Sequence, residues 1–206
     1  MGKLIRLSTL CRAACLAALL PCVASRADYK PSDRVLIQEL TASASATVNF
    51  TKGIDSTYDV YVVEFWGVRP ATDDVKLCMR MSTDGGSTWK AGATDYWYAV
   101  KNLLGEGVTY SGGTTMLALV TGEWATSSVG NAANEDANGW VRIYAPSSTG
   151  MYKHVLSKGA YSGADGGNYQ SSGAGAYKAT TAVNGFQFLF SSGNITAGTF
   201  RLYGIR

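Results

Sequence analysis

Cysteine is scarce in this sequence, and its placement excludes a disulfide framework. Of the four cysteines in 206 residues, Cys11, Cys15 and Cys22 lie within the first 27 residues, and Cys78 stands alone beyond them. The chain after residue 27 therefore cannot form an intrachain disulfide. Paired Cys-x-x-Cys zinc motifs are missing for the same reason.

Histidine occurs once, as His154, and this limits catalytic chemistry. A Ser-His-Asp triad would have to use His154, but no Gly-x-Ser-x-Gly elbow accompanies it. The sequence has no His-Glu-x-x-His zinc motif, and no glycine-rich phosphate loop precedes a helix. We expect His154 to lie on a strand and the protein to have no enzymatic activity. A glycan hydrolase that uses His154 or paired acids is the remote alternative.

Positive charge is concentrated in an apolar leader, residues 1–27. The leader has four of the 18 basic residues and no acid, which leaves 14 basic against 15 acidic residues and a net charge of −1 in the remainder. That balance argues against a nucleic-acid partner. Basic residues, the apolar run Ala13–Leu20 and the small residues of Val23–Ala27 resemble a cleaved signal peptide. The run is too short to span a membrane, so no membrane partner is expected after processing.

Helical periodicity is nearly absent beyond the leader, and alternation with period two dominates. Val75–Met81 places Val75, Leu77, Met79 and Met81 on one face and Lys76, Cys78 and Arg80 on a solvent face. Tyr58–Val68 is apolar on both faces, which indicates a central strand or one covered by a partner subunit. Further strand candidates are Arg34–Leu40, Ala46–Thr51, Asp95–Asn102, Thr115–Thr121, Trp140–Pro146, Tyr152–Tyr161, Gly185–Ser192 and Thr199–Ile205.

These ten candidates, with 24 glycines and only 16% charged residues, predict an all-β fold. We expect an antiparallel two-sheet β-sandwich, jelly-roll-like, behind the apolar N-terminal leader. Residues 28–52 would form an N-terminal arm and the first strands, and residues 53–206 the sandwich domain. The glycine- and serine-rich segment Gly159–Tyr177 is predicted to be a long surface loop.

The segment Ser82–Trp89 reads Ser-x-Asp-x-Gly-x-Thr-Trp, and this spacing resembles the Asp-box of sialidases. Physically, such a motif builds a hairpin turn: a carboxylate accepts backbone N–H bonds, glycines adopt positive φ, and the tryptophan packs back over the turn. One copy on a sandwich-sized chain does not make a sialidase propeller, so a structural role is favoured over a catalytic one. The predicted turn residues are Ser82, Asp84, Gly86, Thr88 and Trp89.

Exposed aromatic rings stack on sugars, which gives a second interpretation. Trp89, Tyr96 and Trp97 are the candidates for glycan stacking. The alternative function is an exported carbohydrate-binding module that uses tryptophan platforms, although core packing is favoured for Trp66 and Trp140 because both lie within strands. The tryptophans considered are Trp66, Trp89, Trp97, Trp124 and Trp140.

No cofactor is expected, with one alternative, a structural calcium ion. Asp73, Asp74, Asp84 and Asp95 lie close together in sequence and could share Ca²⁺ if their loops converge. Aspartate is also a common turn residue, so solvated turn carboxylates are the favoured interpretation.

Three stretches, Gly53–Ala99, Gly139–Val155 and Ala182–Arg206, resemble structural proteins of tailed bacteriophages and prophages, which are described as virion or tail-fibre-like. The resemblance implies a non-catalytic β-sandwich displayed on a particle, as a head decoration or tail appendage. It implies a homo-oligomer, a trimer by analogy with phage appendages, whose partners are other virion proteins and a cell-surface glycan. The leader departs from this family: it indicates a misassigned start, a docking segment or a secreted relative. The expected location is the virion, with secretion as the alternative.

Overall fold

A computed structural model of the chain describes residues 33–102, 108–120 and 127–206, with the backbone alone for residues 108–113. The predicted leader, residues 1–27, and Trp124 lie outside the described residues. None of the described segments forms an apolar helix of membrane-spanning length.

The described part of the chain contains twelve strands and no helix. They form two antiparallel sheets, so the prediction of an all-β, two-sheet sandwich is confirmed. The larger sheet contains, in spatial order, β1 (Arg34–Ser45), β12 (Ile195–Ile205), β3 (Val60–Pro70), β8 (Ala137–Tyr144), β9 (Lys153–Ser162), β10 (Asn168–Tyr177), β5 (Tyr96–Asn102) and β6 (Val108–Thr114). The smaller sheet contains β2 (Val48–Phe50), β11 (Gly185–Phe190), β4 (Leu77–Ser82) and β7 (Leu117–Val120).

Each of the ten candidate segments overlaps a strand, because each alternates in hydrophobicity or is buried on both faces. The segment 28–52 contributes one strand to each sheet, since β1 pairs with β12 and β2 pairs with β11. β3 lies between β12 and β8, so the prediction of a central strand is confirmed, but its outward side carries Glu64 and the exposed Trp66 as well as apolar residues. Even Val62, on the side of β3 that faces away from the core, is only 1% exposed.

Aromatic rings join the two sheets. Phe186 and Phe188 project from β11 and are fully buried. The Phe186 ring packs edge-on against Tyr61 of β3, with ring centroids 6.1 Å apart, and the Phe188 ring packs against Phe200 of β12 at 5.3 Å. Phe50 of β2 packs edge-on against Phe188 at 6.1 Å. Pairs of this kind contribute about 0.5–1.5 kcal/mol each beyond the apolar area that they bury.

The predicted solvent face of Val75–Met81 is wrong at Cys78. This side chain is 1% exposed, because its neighbours on the adjacent strands, Leu189 and Ala118, are apolar and buried as well. Burial raises the pKa of the Cys78 thiol to about 12. The thiol therefore behaves as a small apolar group. The predicted inward residues Val75, Leu77, Met79 and Met81 are all buried.

The predicted loop Gly159–Tyr177 is also wrong, because most of it forms the end of β9 and the whole of β10. β10 pairs with β9 on one side and with β5 on the other. Its glycines serve the packing of the sheets rather than a turn. A side chain at Gly175 would collide with Leu117 of β7 and lie 2.8 Å from the Trp97 carbonyl oxygen. Glycine therefore lets the smaller sheet approach closely, and glycine content alone suggested a loop.

Lys153, the first residue of β9, is a fully buried lysine. Its Nζ donates to the carbonyl oxygens of Ser148 (2.6 Å), Met151 (2.7 Å) and Thr180 (3.1 Å). Burial lowers the pKa of the ammonium from its ordinary value. Since these three acceptors lie in two separate loops, Lys153 ties the loop before β9 to the loop after β10.

Lys153→Met should lower the free energy of unfolding by about 1–3 kcal/mol, because carbonyl groups would lose a charged donor in a buried position. Lys158→Met, at an exposed position of the same strand, is the matched control and should change it by less than about 0.5 kcal/mol. Urea unfolding followed by tryptophan fluorescence measures both. Equal effects of the two substitutions would contradict the role given to Lys153.

Candidate functional site

The turn Ser82–Trp89 is closed by hydrogen bonds among its own polar groups. Asp84 Oδ1 accepts from the Ser82 hydroxyl (2.7 Å) and from the Thr88 N–H (2.9 Å), and Oδ2 accepts from the Thr88 hydroxyl (2.6 Å). Ser82 Oγ in turn accepts from the Gly86 N–H at 2.9 Å. These hydrogen bonds lower the pKa of Asp84 to about 2. The largest contribution comes from the Thr88 hydroxyl, followed by the Ser82 hydroxyl and the Thr88 amide. Both carboxylate oxygens of Asp84 are thus occupied by the turn.

Backbone conformation and packing complete this turn. Gly86 has φ of 89°, and a side chain there would clash with Thr51. The half-buried Trp89 ring lies over Gly185 of β11, where an added methyl group would be 3.3 Å from Trp89 Cη2. Trp89 therefore covers the end of a neighbouring strand and presents only part of its surface to solvent.

Trp89, Tyr96 and Trp97, the predicted stacking residues, do not share one platform. Tyr96 is fully buried: its Oη accepts from the Met81 N–H (2.8 Å) and donates to the Lys90 carbonyl (3.0 Å). Burial raises the pKa of Tyr96, and its ring has no face for a sugar, which corrects that assignment. Trp97 points the other way from the same strand and is 47% exposed, with Lys178 Nζ 4.2 Å from its ring centroid.

The four aspartates considered for calcium accept hydrogen bonds from three different segments of the chain. Asp73 and Asp74 accept from backbone N–H groups of segment 128–131, at 3.1 and 2.7 Å, and Asp95 accepts from the Gly92 N–H at 2.6 Å. Within residues 33–102, 108–120 and 127–206, no three His, Cys, Asp or Glu side chains are grouped to hold a metal ion. Asp84 and Asp95 therefore act within local turns, whereas Asp73 and Asp74 join the segment before β4 to the segment before β8.

His154 lies on β9, as the sequence predicts, and its side chain is exposed. It faces away from the core, like the other even-numbered residues of the strand. The outward side of the larger sheet to which it belongs is called the outer face below.

The outer face carries two tryptophans that were predicted to pack in the core. Trp66 is 38% exposed and Trp140 is half-buried, and both project from it. The core assignment was therefore wrong for both residues, and neither belongs to the buried apolar cluster. Strand alternation held the missing signal: Trp66 shares a face with Glu64, and Trp140 shares a face with Arg142.

Two clusters on this face each hold an arginine over an aromatic ring and against a glutamate. Such pairs combine cation–π attraction with an ion pair. Neighbouring strands β1, β12 and β3 supply all the members. We call these clusters, together with the 52%-exposed Leu36, the arginine–aromatic surface. The clusters are Arg34 with Tyr203 and Glu64 (Cζ to ring centroid, 5.7 Å) and Arg201 with Trp66 and Glu39 (4.8 Å).

A shallow depression of about 280 Å³ lies on the outer face, on β8, β9 and β10. Its floor is Ala160, which pairs with Asn138 of β8 on one side and Gln170 of β10 on the other. Trp140 and Lys158 line it in the next cross-strand row. A second depression, of about 220 Å³, shares Asn138 and Ala160 with the first.

Asp84→Asn should destabilise the protein at neutral pH and flatten its acid transition. The folded-state pKa, about 2, lies below the ordinary value of 3.8, so the contribution of Asp84 is present above pH 3.8 and is lost as the pH falls toward 2. Melting temperatures measured from pH 7 to 2 test this. Asp59→Asn, an exposed carboxylate outside the turn, is the control. Parallel profiles for wild type and Asp84→Asn would refute the role of the carboxylate.

Comparison with known proteins gives no match: no protein-family model, no curated protein and no solved structure matches this chain.

Proposed function

We propose that this protein is a non-catalytic structural component of a bacteriophage virion, a head decoration or part of a tail appendage. It acts through packing of its own copies and through surface contacts. The observation that carries the proposal is the arginine–aromatic surface on β1, β12 and β3. The resemblance of Gly53–Ala99, Gly139–Val155 and Ala182–Arg206 to phage structural proteins supports the particle assignment.

The chemistry of this surface suits protein contact. Trp, Tyr and Arg are the residues that contribute most to binding energy at interfaces. Each arginine is already held by a ring and a glutamate, so little side-chain freedom is lost on association. The surface carries both signs of charge beside exposed Leu36 and Trp66. It can therefore pair with a second copy of itself, and a second copy is the partner that we propose.

The size of the surface indicates what else the contact needs. The surface runs from Arg34 to Glu39 along β1, about 20 Å, and three strands side by side are about 15 Å wide. The resulting area, on the order of 300 Å² per protomer, falls short of the roughly 800 Å² per partner in a standard interface. β1 lies at the sheet edge beside this surface, and its outer edge, with which no strand of the described residues pairs, supplies further contact. A trimer remains an analogy with phage appendages.

Leu36→Ser combined with Trp66→Ser should leave the protein folded but reduce self-association by about tenfold or more, because both apolar anchors are removed. Met151→Ser with Tyr152→Ser changes two other exposed apolar side chains, outside the sheets, and should leave association unchanged. Sedimentation velocity over a concentration series measures the effect, with melting temperature as the folding check. A wild type that is monomeric at about 100 μM, or equal behaviour of both double variants, would rule out this contact.

Native protein should sediment with phage particles when a producing culture is fractionated on a density gradient. Intact mass in the particle fraction then reports whether residues 1–27 are retained. Protein found only in the soluble supernatant, with the mass of a chain that begins near Asp28, would overturn the virion assignment and favour the secreted alternative.

A further inference from the structure

The depression on β8, β9 and β10 arises from an alanine between two larger carboxamide side chains. Asn138, Ala160 and Gln170 are cross-strand neighbours that all project from the outer face. Opposed side chains on adjacent strands are only about 5 Å apart. Alanine in the middle of such a row leaves a recess with a carboxamide on either side. The feature is therefore built into the strand register and does not depend on a loop.

An aromatic wall borders this recess. Trp140 lines it together with Lys158, while the Arg142 guanidinium, 5.6 Å from the Trp140 ring centroid, is not among the lining residues. The indole thus contacts both the guanidinium and the recess. Arg142 also supports the indole, because a ring that is already packed against a neighbour loses less freedom when a ligand binds.

Asn138 is fixed in orientation by two hydrogen bonds. Its Nδ2 donates to Asp136 Oδ1 at 2.7 Å, and its Oδ1 accepts from the Gly67 N–H at 2.9 Å. A carboxamide has two donor hydrogens and two acceptor lone pairs. One hydrogen and one lone pair of Asn138 therefore remain after these bonds. The recess offers a held group that can both donate and accept.

We propose that this depression binds one pyranose ring of an uncharged oligosaccharide. The apolar face of a pyranose packs against an aromatic ring, as Trp140 allows, and its hydroxyl groups both donate to and accept from carboxamides such as Asn138 and Gln170. Lys158 supplies further donors at one end, and Asp136 of the second depression supplies acceptors beyond the other. A charged ligand would be attracted by one of Lys158 and Asp136 and repelled by the other, which favours a neutral sugar.

The dimensions agree with a single sugar ring and a partial second one. The main depression, about 280 Å³, is just below the roughly 300–1,000 Å³ of pockets for drug-sized ligands. The second depression continues it toward Ser162 and Asn168, which add a hydroxyl and a carboxamide. Such a shallow site should bind with a Kd on the order of millimolar, and several copies in one particle would strengthen attachment by avidity.

The site belongs to one chain and shares no residue with the adjoining arginine–aromatic surface, although Trp140 pairs with Glu64 across β8 and β3. The proposal therefore does not rest on the proposed assembly. The strand register identifies two variants that alter the recess and one control variant on the same face. Ala160→Met fills the recess at an exposed strand position, and Trp140→Ala removes its wall. Trp97→Ala removes an exposed tryptophan on β5 of the same face, outside the lining of either depression.

Calorimetric titration with lactose, cellobiose, maltose and N,N′-diacetylchitobiose, each up to about 10 mM, is the experiment. At least one sugar should show saturable binding to the wild type, about tenfold weaker in Ala160→Met and in Trp140→Ala and unchanged in Trp97→Ala. Gln170→Ala should weaken sugar binding as well. It replaces Ala160→Met or Trp140→Ala in the test if either of them has a lowered melting temperature. The Leu36→Ser, Trp66→Ser protein should bind like wild type even if it no longer associates. Absence of saturable binding to all four sugars, or equal affinity of Ala160→Met and wild type, would overturn the proposal.

Discussion

Packing of the four-stranded sheet against the inner side of the eight-stranded sheet determines the rest of the structure. Phe186 and Phe188 of β11 meet Tyr61 and Phe200 of the larger sheet, and this contact determines which side of the larger sheet faces the core. Since side chains alternate along a strand, fixing the inward residues also fixes the outward ones. The chemistry of the outer face is thus a consequence of the core.

Alternation was enough to predict ten strands and the sandwich, because a strand with one buried face has apolar residues at every second position. It failed at β10, where glycine at position 175 allows Leu117 to approach from the other sheet. Close packing between sheets depends on partners far apart in sequence, and composition cannot identify them. The same limit applies to Cys78, which is buried because of apolar neighbours on two other strands.

Candidate site residues were predicted less well, for a related reason. The polar turn around Asp84 is local, so its spacing in the sequence anticipated its hydrogen bonds. Neighbourhood in sequence was misleading for Tyr96 and Trp97, since adjacent strand residues point to opposite sides. The depression around Ala160 could not be foreseen at all, because it needs the register of three strands, and two of them, β9 and β10, meet where a loop was expected.

A wide sheet can divide its outer face between two kinds of contact. On β1, β12 and β3, arginines lie over aromatic rings, which makes a firm, mixed-charge surface suited to another protein. On β8, β9 and β10, alanine takes the place of a long side chain, and the face becomes concave. Substituting one outward residue changes such a face without altering the core, because the pleat separates the two sides. The proposed assembly contact and the proposed sugar site therefore place different demands on the outward residues of this sequence.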